Sequence, residues 1–187
     1  MAEQQAWIVL DRDGVINYDS PDYIKSADEW QPLPGSIDAI AALSRAGYQL
    51  VVATNQSGLA RGLFELEDLE AMHQKLQALV SQAGGHLRGI YYCPHLPEQH
   101  CPCRKPNTGL FDAIENDFAV SLSGAYAVGD SLRDLQAGQK KQCIPVLVTT
   151  GKGAETLQQI KGDEEFNNVL VCRDLLAFSG TILNPQS

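Results

Sequence analysis

Two aspartates, separated by a single residue, follow the short apolar segment Trp7–Leu10. Such a segment, half of it β-branched, predicts a buried strand that delivers Asp11 and Asp13 to its carboxyl end. Gly14 comes next and allows a sharp turn or a close approach of the backbone to a ligand. Neighbouring carboxylates repel each other unless a cation or a proton lies between them. The pattern predicts a magnesium-assisted site with one aspartate as nucleophile and the other as acid and base; the alternative is an Asx turn with a helix cap.

A second group of chemically active residues lies in the loop 93–105. It contains three thiols and one imidazole, those of Cys93, His95, Cys101 and Cys103. These donors suit a tetrahedral zinc ion, and four protein ligands leave no open position for catalysis. We therefore predict a structural zinc site that pins the loop, with His100 as a less suitable alternative ligand. The spacings are not those of zinc fingers, and the other interpretation is a loop of reduced, unliganded cysteines.

The composition restricts the classes of partner. The chain has 187 residues and a formal net charge of −9, which argues against nucleic acid or an anionic membrane as the main partner. A small phosphorylated substrate remains compatible, because a few local cations can bind it. No apolar run approaches about 20 residues, and Met1–Gln5 lacks the features of a signal peptide. We therefore expect a cytoplasmic protein with reduced thiols, in which Cys143 and Cys172 are core residues. No strip of exposed apolar residues stands out in the sequence, so we expect a monomer.

Apolar segments with strand character alternate with helical patterns along the chain. Strands are predicted at 7–10, 49–53, 89–92, 125–128, 145–149 and, at an edge, 169–171. Predicted helices include one capped by Ser36, one over 65–82 with His73 at its surface or boundary, one capped by Asn107, and a short one containing Leu132 and Leu135. This alternation predicts an α/β fold, a three-layer, Rossmann-like arrangement with a mostly parallel sheet. We expect one domain over 1–187 without an inserted cap domain, and a frayed tail from Asn184.

Polar residues follow several of these strands. They are Asp11 and Asp13, then Thr54 and Asn55, then Lys105, then Asp130 and Asp134. The carboxyl ends of parallel strands meet at one edge of a sheet, where ligands bind in open α/β folds. Taken one at a time, a threonine cap, a turn aspartate or a solvated lysine would explain each position. Their placement on one edge indicates a common site.

This set resembles the motifs of the haloacid dehalogenase (HAD) superfamily of phosphatases. The matching segments are Asp11-Arg12-Asp13-Gly14, Thr54-Asn55, Lys105 and Gly129-Asp130-Ser131-Leu132-Arg133-Asp134. The resemblance implies that Asp11 is a nucleophile forming an aspartyl-phosphate, and that Asp13 protonates the leaving alkoxide and then activates water. It also implies that Thr54 and Lys105 hold the phosphoryl oxygens. Asp11, the backbone carbonyl of Asp13, and Asp130 would bind Mg²⁺, with Asp134 behind them.

These roles have a physical basis. A phosphoryl group is negatively charged, so an anionic nucleophile needs a cation to shield it, and carboxylates are the hard ligands that Mg²⁺ prefers. Lys105 places a positive charge where the transferring oxygens accumulate negative charge. Asp13 must be protonated in one step and ionised in the next. We therefore expect the pKa of Asp13 to lie near neutrality.

A zinc loop followed by Cys103-Arg104-Lys105-Pro106 is similar to one small group within this superfamily. That group contains heptose 1,7-bisphosphate 7-phosphatases and histidinol-phosphate phosphatases. The segment Ser57–Gly62 favours the heptose enzymes, whose reaction belongs to the synthesis of ADP-heptose for the lipopolysaccharide core. The short spacer 96–100 is instead like that of histidinol phosphatases, which are the alternative. A zinc-clipped sugar-phosphate-binding protein is the non-enzyme alternative, although such a protein would typically have lost a catalytic residue.

Without a cap domain, the loops around the strand ends would recognise the substrate. The candidate contacts are Asp19, Ser20, Asp22, Asn55, Gln56, Ser57, Arg61 and Arg104. A guanidinium can bind a phosphate through two parallel hydrogen bonds. We therefore predict that Arg104 binds a second phosphate of the substrate, with Arg61 as a weaker candidate.

Overall fold

The computed structural model describes residues 6–184, so the predictions for Met1–Gln5 and for the residues after Asn184 lie outside the described residues. The six strands are β1 (Trp7–Leu10), β2 (Gln49–Asn55), β3 (Gly89–Cys93), β4 (Tyr126–Gly129), β5 (Ile144–Val148) and β6 (Leu170–Cys172). The six α-helices of the described chain are α1 (Ser36–Arg45), α2 (Leu66–Gln82), α3 (Gly109–Phe118), α4 (Leu132–Lys140), α5 (Gly153–Gln159) and α6 (Leu175–Leu183).

The strands form one sheet in the order β3-β2-β1-β4-β5-β6, and every pairing is parallel. The α/β fold with a parallel sheet is therefore confirmed. The strand order reverses its direction at β1, which lies between β2 and β4. In such sheets the ligand crevice opens at the carboxyl ends of the strands beside this reversal. Asp11, the residue directly after β1, therefore lies at this crevice.

Alternate residues of the strands face two separate cores. Ile8 and Leu10 pack with residues of α1, α2 and α6, whereas Trp7 and Val9 pack with residues of α3 and α4. Because both faces are covered, the central strands are apolar at every position, as the sequence of β1 shows. The result is the predicted three-layer arrangement. Within the described residues, the β1–α1 connection is a loop and the β2–β3 connection carries α2, and neither contains an inserted domain.

Three local predictions differ from the structure, and one helix was not predicted. Ser36 does not cap α1, because Gly35 occupies the cap position and the Ser36 hydroxyl donates to the Ile16 carbonyl oxygen at 2.6 Å. Asn107 does not cap α3, since its amide donates to the Cys101 carbonyl oxygen. His73 is buried rather than at the surface. The helix α6 was not predicted, yet its Phe178 is fully buried in the core.

Cys143 and Cys172 are buried, as predicted. None of the described helices combines the length and the apolar character that a membrane span requires. The loop between β1 and α1 is held in place at Trp30, whose side chain is fully buried. Lys75 of α2 donates to the carbonyl oxygens of Ala27 and Trp30 at 2.6 and 2.8 Å. This loop is thereby fixed above the carboxyl ends of the strands.

Candidate active site

Asp11 lies at the carboxyl end of β1 and is anchored by its backbone. Its N–H donates to the Val128 carbonyl oxygen of β4 at 2.9 Å. Lys105 reaches the same point from the loop after β3, and its Nζ lies 3.0 Å from Asp11 Oδ1 and 2.7 Å from Asp134 Oδ1. The Lys105 ammonium also donates to the Ala53 carbonyl oxygen at 2.6 Å. All three charged side chains are buried, so Lys105 is a fixed cation between two carboxylates.

Asp130 follows β4 and completes a cluster of three buried carboxylates. Asp11, Asp130 and Asp134 each place a carboxylate oxygen within 4.8 Å of the others. Burial, with Asp134 nearby, raises the pKa of Asp11 to about 6 against the influence of Lys105. Burial, with Asp11 and Asp134 nearby, raises the pKa of Asp130 to about 8. The cluster therefore carries more negative charge than Lys105 alone balances.

Two glycines leave room for the Asp130 carboxylate. A Cβ atom at Gly14 would lie 2.1 Å from Asp130 Oδ2, and a Cβ atom at Gly151 would lie at the same distance. Both glycines have a positive φ, 82° and 56°, which side chains disfavour. The next amide, that of Lys152, donates to Asp130 Oδ2 at 2.8 Å. Close backbone approach from two loops therefore fixes one oxygen of Asp130.

These residues fit a hard divalent cation. Mg²⁺ binds carboxylate and carbonyl oxygens, and it would relieve the repulsion that, in addition to burial, raises the pKa values of Asp11 and Asp130. Asp134 is held differently from Asp130, because its Oδ2 accepts from the backbone N–H and the hydroxyl of Ser131 and its Oδ1 faces Lys105. That arrangement suits the predicted position of Asp134 behind the direct ligands.

Metal-free protein is expected to lose stability as the pH rises through this cluster. An aspartate whose folded pKa exceeds its unfolded value binds extra protons in the native state, so its contribution to stability is lost as the pH rises through the folded pKa. For Asp11 and Asp130 this loss extends from about pH 4 to about pH 8. In EDTA, the free energy of unfolding should therefore fall between pH 6 and pH 8. Saturating Mg²⁺ should remove this decline, because the cation replaces the protons.

Urea unfolding over this pH range, with EDTA and with Mg²⁺, measures the effect. Asp130→Asn is the matched control, since the amide does not titrate and the decline in EDTA should become much smaller. Equal pH slopes with and without Mg²⁺ in the unsubstituted protein would contradict the cation site.

The side chain of Asp13 is held by a separate network. Arg12 donates to Asp13 Oδ1 from Nε at 3.1 Å and from Nη2 at 2.9 Å. The side-chain amides of Asn17 and Gln56 each donate to the Asp13 carboxylate at 2.8 Å. Burial would raise the pKa of Asp13, but Arg12 and the two amides outweigh it, and the net pKa is lowered. The prediction of a pKa near neutrality is therefore wrong for the protein without substrate, because the side chain of the intervening Arg12 turns back onto Asp13.

The residues at the carboxyl end of β2 and directly after it mainly bond other parts of the site. Asn55 accepts from the Lys105 backbone N–H and donates to the Lys105 carbonyl oxygen, both at 3.1 Å. Gln56 donates to the hydroxyl oxygen of Thr54 at 3.0 Å as well as to Asp13. Asn55 and Gln56 line the cavity together with Thr54 and Ser57. Contact of these residues with the substrate stays a prediction. Their amides already have partners within the protein.

A cavity opens above Asp11. Its lining brings together most of the predicted site: Asp11, Asp13, Asp19, Ser20, Thr54, Asn55, Gln56, Ser57, Arg104 and Asp130. Lys105, whose Nζ lies 3.0 Å from Asp11 Oδ1, does not belong to the lining. Asp22 and Arg61 are exposed and do not belong to the lining. Each lies in a turn that directs it away, since the Asp22 N–H bonds the Ser20 hydroxyl and the Arg61 N–H bonds the Ser57 carbonyl oxygen.

Two basic residues of the lining were not predicted, Arg133 and Lys152. Arg133 is at the start of α4, and its Nε is buried without a hydrogen-bond partner among the described residues. Lys152 Nζ lies 3.0 Å from Asp19 Oδ2, which joins the β5–α5 loop to the loop above the cavity. Arg104, whose Nη1 donates to the His95 carbonyl oxygen at 3.1 Å, is the third basic residue of the lining. The sequence signal that could have identified Arg133 as a site residue is its position directly before Asp134.

The predicted thiol and imidazole donors converge. The Cys103 sulfur lies 3.2 Å from Cys93, 3.4 Å from Cys101 and 3.2 Å from His95 Nδ1. The sulfur separations exceed a disulfide bond of about 2.05 Å. They are close to the edge of about 3.8 Å of a tetrahedron with zinc–sulfur bonds of about 2.3 Å. This cluster can hold a metal ion, and His95 rather than His100 supplies the nitrogen.

Comparison with known proteins places this geometry in a family. A sequence profile of HAD-hydrolase-like proteins matches residues 102–177. D-glycero-β-D-manno-heptose-1,7-bisphosphate 7-phosphatase from Pseudomonas aeruginosa is 51% identical over 176 residues, covering 94% of this chain and 97% of the relative. The chain belongs to the D-glycero-β-D-manno-heptose-1,7-bisphosphate 7-phosphatase family. This family consists of HAD phosphatases, which are phosphoric monoester hydrolases, so the resemblance inferred from the motifs is confirmed.

Solved structures of heptose bisphosphate phosphatases agree with this assignment. The crystal structure of D,D-heptose 1,7-bisphosphate phosphatase from B. bronchiseptica, complexed with magnesium and phosphate, superposes with a TM-score of 0.91 at 48% identity. The alignment covers 96% of this chain and 99% of that chain. The enzyme from Burkholderia thailandensis superposes with a TM-score of 0.73 at 40% identity, covering 96% and 99% of the two chains. The heptose phosphatases are thus favoured over the histidinol alternative and over a binding protein without activity.

Proposed function

We propose that this protein is a Mg²⁺-dependent phosphatase that removes the C7 phosphate of D-glycero-β-D-manno-heptose 1,7-bisphosphate through an aspartyl-phosphate on Asp11. The product would be a precursor of ADP-heptose for the lipopolysaccharide core. One observation carries the proposal: Asp11 lies at the base of a cavity, against the buried ammonium of Lys105, with Asp13 in the same lining. The names of the heptose relatives provide the substrate.

The chain's own residues account for both chemical steps. A carboxylate oxygen of Asp11 attacks phosphorus, the bond from phosphorus to the C7 oxygen breaks, and Asp13 gives its proton to that oxygen. Asp13 then accepts a proton from the water that attacks the phosphoenzyme, so Asp11 and inorganic phosphate are released. Lys105 and Thr54 stabilise the negative charge on the phosphoryl oxygens. Asp13 must receive its proton when substrate binds, since its pKa is lowered in the free protein.

Asp11, Asp130 and the backbone carbonyl of Asp13 would hold Mg²⁺, with Asp134 behind them. The ion would shield the approaching phosphoryl group from the negative charge of Asp11. The raised pKa values of Asp11 and Asp130 and the space left by Gly14 support this assignment.

The C1 phosphate would bind beside Arg104 and Arg133 of the cavity lining, where Arg133 lies close enough to Arg104 to lower its pKa in addition to the effect of burial. Two neighbouring guanidinium groups suit a phosphate dianion. We expect Arg133→Gln to raise KM for the bisphosphate about tenfold or more, since a hydrogen bond to a charged group contributes about 1.5–3 kcal/mol. KM for heptose 7-phosphate should change by less than about threefold.

Arg61→Gln is the matched control, because Arg61 is exposed and lies outside the cavity lining. Steady-state kinetics on the two substrates separates the effects. An equal rise in KM for both substrates would indicate that Arg133 binds the reacting C7 phosphate and not the C1 phosphate.

Phosphate release from heptose 1,7-bisphosphate and from histidinol phosphate, measured side by side with Mg²⁺, tests the proposed function. A large preference in kcat/KM for the bisphosphate is expected, because histidinol phosphate offers no second phosphate to Arg104 and Arg133. A preference for histidinol phosphate would show that this compound, and not the heptose bisphosphate, is the substrate. Release of phosphate from neither compound would contradict the proposed function.

The ion in the cluster of Cys93, His95, Cys101 and Cys103 would be a structural zinc, because three thiolates and an imidazole fill a tetrahedral site. It would fix the loop that carries Arg104 and Lys105. We expect Cys101→Ser to lower the zinc content and the melting temperature much more than it lowers kcat per folded molecule. Elemental analysis and thermal unfolding measure these effects. Cys172→Ser, outside the cluster, is the control, and full zinc occupancy with unchanged melting in Cys101→Ser would exclude the structural role.

We also propose that residues 1–187 form one phosphatase domain and that the enzyme is a cytoplasmic monomer acting on a small phosphorylated sugar. The single six-stranded sheet of the described residues supports the first point. The net charge of −9 is consistent with a partner other than nucleic acid. Size-exclusion chromatography with light scattering tests the monomer.

A further inference from the structure

Arg12 stands between the two aspartates of the site, and its side chain is 1% exposed. An arginine side chain offers N–H donors only and keeps its charge in proteins. Nε and Nη2 face Asp13, and Nη2 also donates to Gln56 Oε1 at 3.1 Å. A buried guanidinium requires an acceptor for its remaining N–H groups as well, since an unpaired buried donor is costly.

His73 provides that acceptor. Arg12 Nη1 lies 3.3 Å from His73 Nε2. Because arginine can only donate, Nε2 must offer its lone pair, so the imidazole is neutral with its proton on Nδ1. Burial, together with the charge of Arg12, lowers the pKa of His73 to about 4, which keeps this form at neutral pH. His73 comes from α2 and does not belong to the cavity lining.

We propose that His73 is a positioning residue of the phosphatase reaction: its Nε2 lone pair holds the Arg12 guanidinium in the plane that orients the Asp13 carboxyl group. The proposal rests on the proposed function and adds to it a residue that touches neither substrate nor metal. A guanidinium is rigid and planar, so fixing Nη1 also fixes the edge formed by Nε and Nη2. The acid must lie within hydrogen-bond reach of the leaving oxygen, and small displacements lower the rate strongly.

A purely packing role for His73 makes a different prediction. The imidazole ring lies 5.8 Å from the ring of Tyr92, measured between centroids, and fills space between α2 and β3. His73→Phe keeps an aromatic ring there and removes the acceptor. His73→Gln removes the ring and places an amide oxygen near the position of Nε2. The positioning role predicts that the phenylalanine variant is the poorer enzyme, whereas the packing role predicts the reverse.

We expect His73→Phe to lower kcat for heptose 1,7-bisphosphate about tenfold with KM changed by less than about twofold, as an unpaired buried donor disturbs Arg12. His73→Gln should recover kcat to within about threefold of the unsubstituted enzyme. Loss of activity in His73→Gln equal to or larger than that in His73→Phe would overturn the proposal. If His73→Phe does not fold, His73→Leu replaces it, because leucine also lacks an acceptor.

A leaving-group comparison adds a measurement that packing alone would not change. Release of p-nitrophenolate needs no proton from Asp13, whereas release of the sugar alkoxide does. In single-turnover experiments, His73→Phe should form the phosphoenzyme from p-nitrophenyl phosphate at a rate within about twofold of the unsubstituted enzyme. Its hydrolysis of that phosphoenzyme should be slowed about tenfold, because Asp13 must then activate water.

Equal slowing of both steps would also overturn the positioning role. Failure of the unsubstituted enzyme to release phosphate from any of these esters would instead remove the proposed function. The two failures are therefore distinguishable.

Discussion

Replacing Asp11 with asparagine is expected to lower kcat by at least about 10⁴-fold, the scale of loss when an enzyme loses its nucleophile. The amide has nearly the same shape as the carboxylate but cannot form the aspartyl-phosphate. It also removes one negative charge from the cluster with Asp130 and Asp134. Because the pKa of Asp11 is raised to about 6 by burial and by Asp134, its charge is unfavourable in the metal-free fold at neutral pH. The melting temperature in EDTA at pH 8 should therefore not fall below that of the unsubstituted protein.

Steady-state assays, thermal unfolding and mass spectrometry of acid-quenched enzyme test this expectation together. The unsubstituted enzyme should trap phosphate on the peptide that contains Asp11, and Asp11→Asn should trap none. Asp38→Asn is the matched control, since Asp38 is an exposed aspartate in the first turn of α1. Turnover by Asp11→Asn within a hundredfold of the unsubstituted enzyme, with the amide verified by mass, would remove the nucleophile assignment.

Lys105→Met is expected to lower kcat by about 10²–10³-fold and to destabilise the metal-free protein by about 3–5 kcal/mol at pH 8. Under the proposed mechanism the rate falls because the variant lacks the ammonium group that stabilises the charge on the transferring phosphoryl oxygens. Stability falls because Asp11 and Asp134 lose the cation that lies 3.0 and 2.7 Å from them. Burial opposes ionisation of Asp134, and Lys105 is the main group that lowers its pKa below the usual value. The deficit should therefore shrink as the pH falls and these carboxylates are protonated.

Added Mg²⁺ should recover part of the stability of Lys105→Met, but not its kcat, since the ion would restore positive charge beside the carboxylates but would not replace the ammonium group of the lysine. Urea unfolding at pH 5 and pH 8, with and without Mg²⁺, measures this separation. Lys161→Met controls for loss of an exposed lysine. A stability deficit that stays constant between the two pH values would show that the buried ion pairs are not its cause.

The sequence was sufficient to predict the sheet and the main acids because their signals are local. Each central strand is a short apolar run, and each ends in the polar residues that enter the site. Helix α6 escaped prediction because Ser179, Gly180 and Thr181 interrupt its apolar face near the end of the chain. Its helical start depends on Asp174, whose side chain accepts from the Ala177 N–H.

The errors within the site concern side-chain direction, which depends on distant contacts. His73 has the spacing of a boundary residue, and its burial depends on contacts with Arg12, from the loop after β1, and with Tyr92 of β3. Asn55 was predicted to contact the substrate and does line the cavity, but both ends of its amide bond the Lys105 backbone, so that contact stays a prediction. Arg133 is one of several basic residues at helix ends, and its position beside Arg104 follows from the order of β3, β2, β1 and β4. The order of the strands in the sheet cannot be predicted from any short segment of the sequence.

The contact of Gly14 and Gly151 with the Asp130 carboxylate has a consequence for engineering. Even alanine would place a carbon atom 2.1 Å from Asp130 Oδ2. We therefore expect that neither glycine can be substituted. A mutagenesis library designed to broaden substrate range should therefore keep both codons fixed. Pro21, Tyr23 and Ile24 line the same cavity from the loop after β1 and make no part of the acid cluster. Substitutions at these three positions can change the shape of the cavity without changing the catalytic residues at the strand ends.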